Sequence, residues 1–347
     1  MKKTLALVII IYSHLSLLHA CTTFFINKNG QMVFGRNYDW VTDAGIVCTN
    51  LKGLSKKSMK IENGETIGWL SKYGSITFNQ YGKEFPTGGM NEKGLVVELM
   101  WLDETKYPAA DTRPAIGVLQ WIQYQLDNCT TIYEIIGTDK KLRISPTGTT
   151  PIHYLVADAN GKVATIEFLN GKMVVHKESD LSFSVLTNNT YDESVKSVKN
   201  SSSNGNNSLE RFGETCKMIQ QLNATSISKS LTDYAFDILG EVAQGDFTKW
   251  SIVYDITNKT IQFKTNRFKQ IKTLSFSAFD FNCTTKAKVW DMNQKASGSV
   301  NKLFQNFNSD INKRIVETAA KESESRVSIS KKNIEALWQY APGIKCK

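Results

Sequence analysis

Residues 21–39 read CTTFFINKNGQMVFGRNYD, and their pattern decides the architecture. Two runs of β-prone residues flank Asn29-Gly30, the dipeptide best suited to a two-residue turn in which both positions take positive φ. A β-hairpin tipped by Asn29 and Gly30 is expected, and its register sets Cys21 opposite roughly Tyr38, with Arg36 and Asp39 flanking that position. The apolar run Thr22–Ile26 does not alternate with polar residues, which marks a strand covered on both faces.

The turn signal recurs at Asn160-Gly161 and Asn170-Gly171 within HYLVADANGKVATIEFLNGKMVVH (153–176), predicting a three-strand meander. WSIVYDITNKTIQFKT (250–265) predicts a further hairpin around Asn258. Between them, DTRPAIGVLQWIQYQLDN (111–128) spaces Ala115, Val118, Leu119, Ile122 and Leu126 as one helix face, with Pro114 in the first turn. Thr131 and Glu134 form a capping box for a second helix. Two more helices are expected over 209–222 and 231–242, after a Ser/Asn-rich loop at 200–207. Strands, helices, strands, helices, strands in that order indicate a layered α+β domain with helix-covered sheets rather than alternating βαβ units. One domain over 21–347 is expected, with a charged, helix-like C-terminal extension from about residue 296, and no internal repeats are visible.

The totals narrow the function classes. A chain of 347 residues with 41% hydrophobic and 22% charged residues can bury a substantial core. MKKTLALVIIIYSHLSLLHA (1–20) has two lysines, an apolar stretch and a small residue at Ala20, the layout of a secretory leader rather than a membrane span. Its removal takes the net charge from +9 to +7 and leaves an exported product, periplasmic or secreted, or lysosomal if the source is eukaryotic. No later segment predicts stable membrane insertion. The positive charge is spread thinly. Lys56, Lys57 and Lys60 read as a solvated loop, so no nucleic-acid partner is expected. Cysteines at 21, 48, 129, 216, 283 and 346 show no metal or redox spacing, hence no metal and no cofactor, and their pairing is open.

Only His153 and His176 remain after the leader, both in strand-like segments where a structural role is the ordinary one. A histidine-based hydrolase is thus poorly supplied, and no G-x-S-x-G or H-E-x-x-H motif is present. Cleavage after Ala20 would supply another base, a free α-amine of intrinsic pKa about 7.7–8.0 on the residue that carries the thiol. Nucleophile and base then share Cys21, with Asp39 able to orient the amine and Arg36 to favour the thiolate.

These residues resemble the choloylglycine hydrolases, comprising conjugated bile acid hydrolases and penicillin V acylases, within the N-terminal nucleophile hydrolases. The resemblance covers most of 21–300 and rests on CTTFF (21–25), FGRNYDW (34–40), GGMNEKGL (88–95), which holds Asn91, DTRPA (111–115), ADANGKVATIEF (157–168), VLTNN (185–189) and SLERF (208–212). It implies a four-layer αββα sandwich and hydrolysis of a linear, non-peptide C–N bond in a small N-acyl amide through an acyl-enzyme. It further implies Cys21 as nucleophile, Arg36 and Asp39 as its polar support, Asn188 as oxyanion-hole donor and Arg211 as the remaining active-site arginine. Where many members carry a second oxyanion asparagine, this chain has Trp101, and Trp101 with Trp40 is assigned to the wall of the acyl pocket. The acyl group, the amine and the oligomeric state stay open, a homo-oligomer included. Asn188-Asn189-Thr190 is also a sequon, one of several. The rival reading takes Leu18–Cys21 as a lipobox, with Cys21 lipidated and the chain an anchored surface binding protein on a degenerate hydrolase scaffold. His19 and the immediate strand-forming TTFFI fit that reading poorly.

Overall fold

The computed structural model describes residues 21–61, 65–202, 207–224 and 228–347; the leader assigned to 1–20 lies outside them. The opening hairpin forms as expected, pairing Thr22–Lys28 with Gln31–Asp39 in a register that sets Thr22 against Asn37 and Lys28 against Gln31. Asn29 and Gly30 both have positive φ, 53° and 82°, the mirror-image turn that matches strand twist. This hairpin supplies the second and third strands of a seven-stranded sheet ordered Val185–Leu186, Thr22–Lys28, Gln31–Asp39, Thr248–Asp255, Thr260–Thr265, Lys272–Ser275, Gly298–Ser299. A nine-stranded sheet runs Lys172–Lys177, Val163–Leu169, Ile152–Ala157, Val96–Trp101, Pro86–Asn91, Ser75–Asn79, Ile46–Asn50, Lys288–Asp291, Gln305–Asn306. Both predicted hairpin systems, the 152–177 meander and the 248–265 pair, are present.

Helices α1 (Val118–Asn128) and α2 (Ile132–Gly137) cover the outer face of the nine-stranded sheet, burying Trp121, Ile122, Leu126 and Ile132 against Val97, Tyr154 and Ile166. Helices α3 (Tyr191–Lys199), α4 (Asn207–Ala224) and α5 (Leu231–Glu241) cover the other sheet, α5 lying on the strands Gln31–Asp39 and Thr248–Asp255. Between the sheets, Phe34, Phe78, Val96, Leu155, Tyr254 and Phe263 form a continuous core. Each such side chain, fully buried, contributes about 1.5–3 kcal/mol, so this interior dominates the folding energy. The result is the αββα sandwich.

Several expectations need correction. The helix predicted from Pro114 starts at Val118, because Ala115–Ile116 are drawn into parallel pairing with Arg143–Ile144. Lys56 is not solvated: strand alternation turns it inward, to 3% exposure, where its ammonium meets Glu84 at 2.5 Å and Asp127 at 2.8 Å. The capping box at Thr131 and Glu134 is present. Of the expected loop at 200–207, residues 203–206 lie outside the described residues, and Asn207 already begins α4. The C-terminal extension turns helical only at α6 (Ser309–Glu322) and α7 (Lys331–Tyr340), since Gly298–Ser299 and Gln305–Asn306 still add strands to the two sheets. A disulfide joins Cys283 to Cys346, and Cys21, Cys48, Cys129 and Cys216 are free and buried. No helix among the described residues is long and apolar enough to cross a membrane.

Candidate active site

Cys21 stands at the start of its strand, 4% exposed, with its thiol donating to the Asp39 backbone carbonyl across the hairpin at 3.8 Å. Burial pushes the thiol pKa up; Arg36 pulls it down, Asp39 pushes it up and Arg211 pulls it down. Asp39 ends the second hairpin strand. Its Oδ1 accepts from Thr248 Oγ1, brought alongside by the pairing of Thr248 with Asp39, while its Oδ2 is buried with no hydrogen-bond partner among the described residues. Burial raises this carboxyl to about 7, against the pull of Arg211, Thr248 and Arg36.

Arg211 reaches Cys21 from α4, donating from Nη1 to the Cys21 carbonyl and to Thr22 Oγ1, both at 2.6 Å. Its Nη2 donates to Asn188 Oδ1 at 3.1 Å, and Asn188 Nδ2 donates to the Trp101 carbonyl at 2.9 Å. One guanidinium thus ties the first residue of the strand to Asn188 and, through it, to Trp101. Arg36 is fully buried beneath the site and faces the inter-sheet core. It pairs with Glu98 and donates to the carbonyls of Thr87 at 3.2 Å and Leu99 at 3.0 Å, its charge 4.6 Å above the Tyr38 ring. Tyr254 donates to the other Glu98 oxygen, and burial raises Glu98 to about 7 despite Arg36.

Gly88 makes this network sterically feasible, since a Cβ there would lie 1.9 Å from Glu98 Oε2. Above about pH 8, where Glu98 is ionised, replacing it by Gln strands the Arg36 charge in a dry interior, and such a loss costs about 3–5 kcal/mol. Urea denaturation of Glu98→Gln is expected to show it as a lower midpoint with unchanged slope.

A cavity of about 410 Å³ opens at Cys21 and Asp39. Tyr38, Trp40, Tyr81, Leu99, Trp101 and Ile152 are among its walls, and the Trp40 and Trp101 rings lie 6.0 Å apart. Trp40 Nε1 donates to Tyr81 Oη at 3.1 Å. Of the residues singled out from sequence, Cys21, Asp39, Trp40 and Trp101 line the cavity; Arg36, Asn188 and Arg211 are not among its lining residues, and Asn188 and Arg211 join it through Trp101 and Cys21. His153, between Glu167 and the Thr187 carbonyl, and His176, beside Thr165 and Asp192, are not among the lining residues. Sequence reasoning missed Glu98, Thr248 and Tyr254. A charge inside the apolar run VVELMW was a usable signal for Glu98; nothing local marked Thr248, which lies 209 residues from its partner.

Residues 21–231 match the family model described as linear amide C–N hydrolases, choloylglycine hydrolase family. The chain belongs to the choloylglycine hydrolase family. Among curated proteins, a penicillin V acylase from Pectobacterium atrosepticum is 29% identical over 198 residues, 51% of this chain and 51% of that protein. The chain thus spans about half the length of the curated relative it matches. Among solved structures, a penicillin V acylase from Agrobacterium tumefaciens superposes with a TM-score of 0.72 at 24% identity, covering 83% of this chain and 98% of that one. A conjugated bile acid hydrolase from Clostridium perfringens gives 0.67 at 16%, covering 81% and 98%. At these identities the superpositions show the shared choloylglycine hydrolase fold, the αββα sandwich of the N-terminal nucleophile hydrolases.

Proposed function

We propose that this protein hydrolyses the linear C–N bond of an N-acyl amide through a Cys21 thioester, with the α-amine of Cys21 as base after residues 1–20 are removed on export. The observation that carries the reading is the orphaned Asp39 Oδ2, a buried acceptor beside Cys21 at the inner end of an apolar cavity. A carboxyl raised to about 7 in a dry site is satisfied by a neighbouring cation, and a freed α-ammonium is one. The amine takes the thiol proton, and the thiolate attacks the acyl carbon. The ammonium so formed gives its proton to the leaving nitrogen, and the regenerated amine then takes a proton from the water that cleaves the thioester.

Arg36 and Arg211 favour the thiolate through their charge. Asn188 is the oxyanion donor in this reading: its Nδ2 carries a second N–H beyond the one given to Trp101, and Arg211 fixes its orientation. Trp101 takes no part in that hole and, with Trp40, contacts the acyl group. A missing side-chain donor commonly costs about 10²–10³ in rate rather than all activity.

Amine release from a panel of glycine and taurine bile conjugates, penicillin V and N-acylglycines of graded length tests the assignment. Release from at least one class is expected, with a transient mass increase equal to the acyl group on the peptide that starts at Cys21. Silence across the panel removes the reading.

A further inference from the structure

The chain beyond the last sheet strand does not simply pack on the outside. Val327, Ser328, Ile329, Asn333 and Leu337, from the α6–α7 connection and α7, complete the cavity wall. Ile329 and Leu337 pack with Leu119 against Ala44, Tyr81 and Ala319, so this side of the cavity is apolar. None of the ten residues of α7 is buried; the helix lies over the cavity rather than in a core of its own.

The segment is nevertheless tied down at both ends. Trp40 donates to Tyr81, whose hydroxyl donates to Ser323 Oγ at 3.1 Å, and Ser323 donates to the Ala319 carbonyl at 2.6 Å, joining the cavity to the end of α6. Tyr340 Oη donates to the Lys57 carbonyl at 2.7 Å, Lys345–Cys346 pairs with Leu54–Ser55, and Cys346 is bonded to Cys283. The solved relatives are matched over 98% of their length yet cover only 83% and 81% of this chain, and the twenty residues before Cys21 are too few to account for the remainder.

We propose that residues 323–340 are a fixed selectivity wall of the acyl pocket, with Leu337 setting the length of apolar acyl chain admitted. This rests on reading the cavity as the acyl site. The test separates the two claims by using binding as well as turnover. In the chain starting at residue 21 and carrying Cys21→Ala, calorimetry gives Kd for N-butanoylglycine and N-dodecanoylglycine. Adding Leu337→Trp is expected to shift the dodecanoyl-to-butanoyl affinity ratio about tenfold towards the short chain, and Leu337→Ala to shift it towards the long one, the scale of one or a few methylenes in an apolar pocket.

Ratios within about twofold of the parent in both variants overturn the proposal, as does a parent that binds neither compound. Ratios that move while the active-cysteine enzyme hydrolyses neither compound sustain the wall and count against the reaction. Hydrolysis with unmoved ratios sinks the wall alone.

Discussion

Cys21→Ala is expected to lower kcat for any hydrolysed N-acyl amide by about 10⁶-fold, the scale on which removing a nucleophile silences a whole catalytic unit. The expectation is this large because no second thiol stands ready: Cys48, Cys129 and Cys216 are buried, with thiols pushed up by desolvation, and none lines the cavity. The same experiment addresses the chain's start. Intact mass should report an unmodified product beginning at Cys21, because Cys21 leads directly into the strand Thr22–Lys28 with no linker to hold the domain off a membrane anchor. A diacylglycerol adduct, or full activity in a product that retains residue 20, would overturn the mechanism.

Asp39→Asn is the second large effect. It keeps the shape and the Thr248 contact but removes the charge that holds the α-ammonium, and kcat should fall by about 10²–10⁴, the range of acid–base contributions. In the form whose Cys21 nitrogen is still a peptide amide, folding should change little at neutral pH, because the Asp39 carboxyl, raised to about 7, is already half protonated there.

The pH dependence has a definite sign. In a chain whose Cys21 nitrogen is still a peptide amide, the folded pKa of Asp39 lies above its unfolded value near 4. Its stabilising contribution is therefore complete below about pH 4 and is lost as pH rises through about 7. The stability of that form should decline over this window relative to its Asp39→Asn counterpart, as read by urea midpoints. Freeing the amine should flatten the difference, since the ammonium pulls the carboxyl down. A variant with wild-type kcat would remove Asp39 from the mechanism.

Much of this was legible in the chain because it is local. Asn29-Gly30 set the hairpin register, and that register carries Arg36 and Asp39 to Cys21 before any tertiary contact is considered. What stayed hidden is what long-range pairing assembles. Thr248 reaches Asp39 only when strands more than two hundred residues apart align, and Glu98 finds Arg36 only across the inter-sheet core. Lys56 looked solvated because its alternation is seen only once Leu54–Lys57 is known to be a strand, facing Glu84 and Asp127. The extension at 296 was read as helix from its charge, while the sheets recruited its first residues as edge strands.

The paired indoles of Trp40 and Trp101, 6.0 Å apart with Trp40 tied to a tyrosine hydroxyl, make the pocket optically self-reporting. An acyl chain that lies against this wall displaces water from the indole edges, so intrinsic emission shifts to the blue on occupancy without any dye. Five other tryptophans supply the background against which that shift is read. A stopped-flow trace of that emission would time filling and emptying of the pocket separately from bond cleavage.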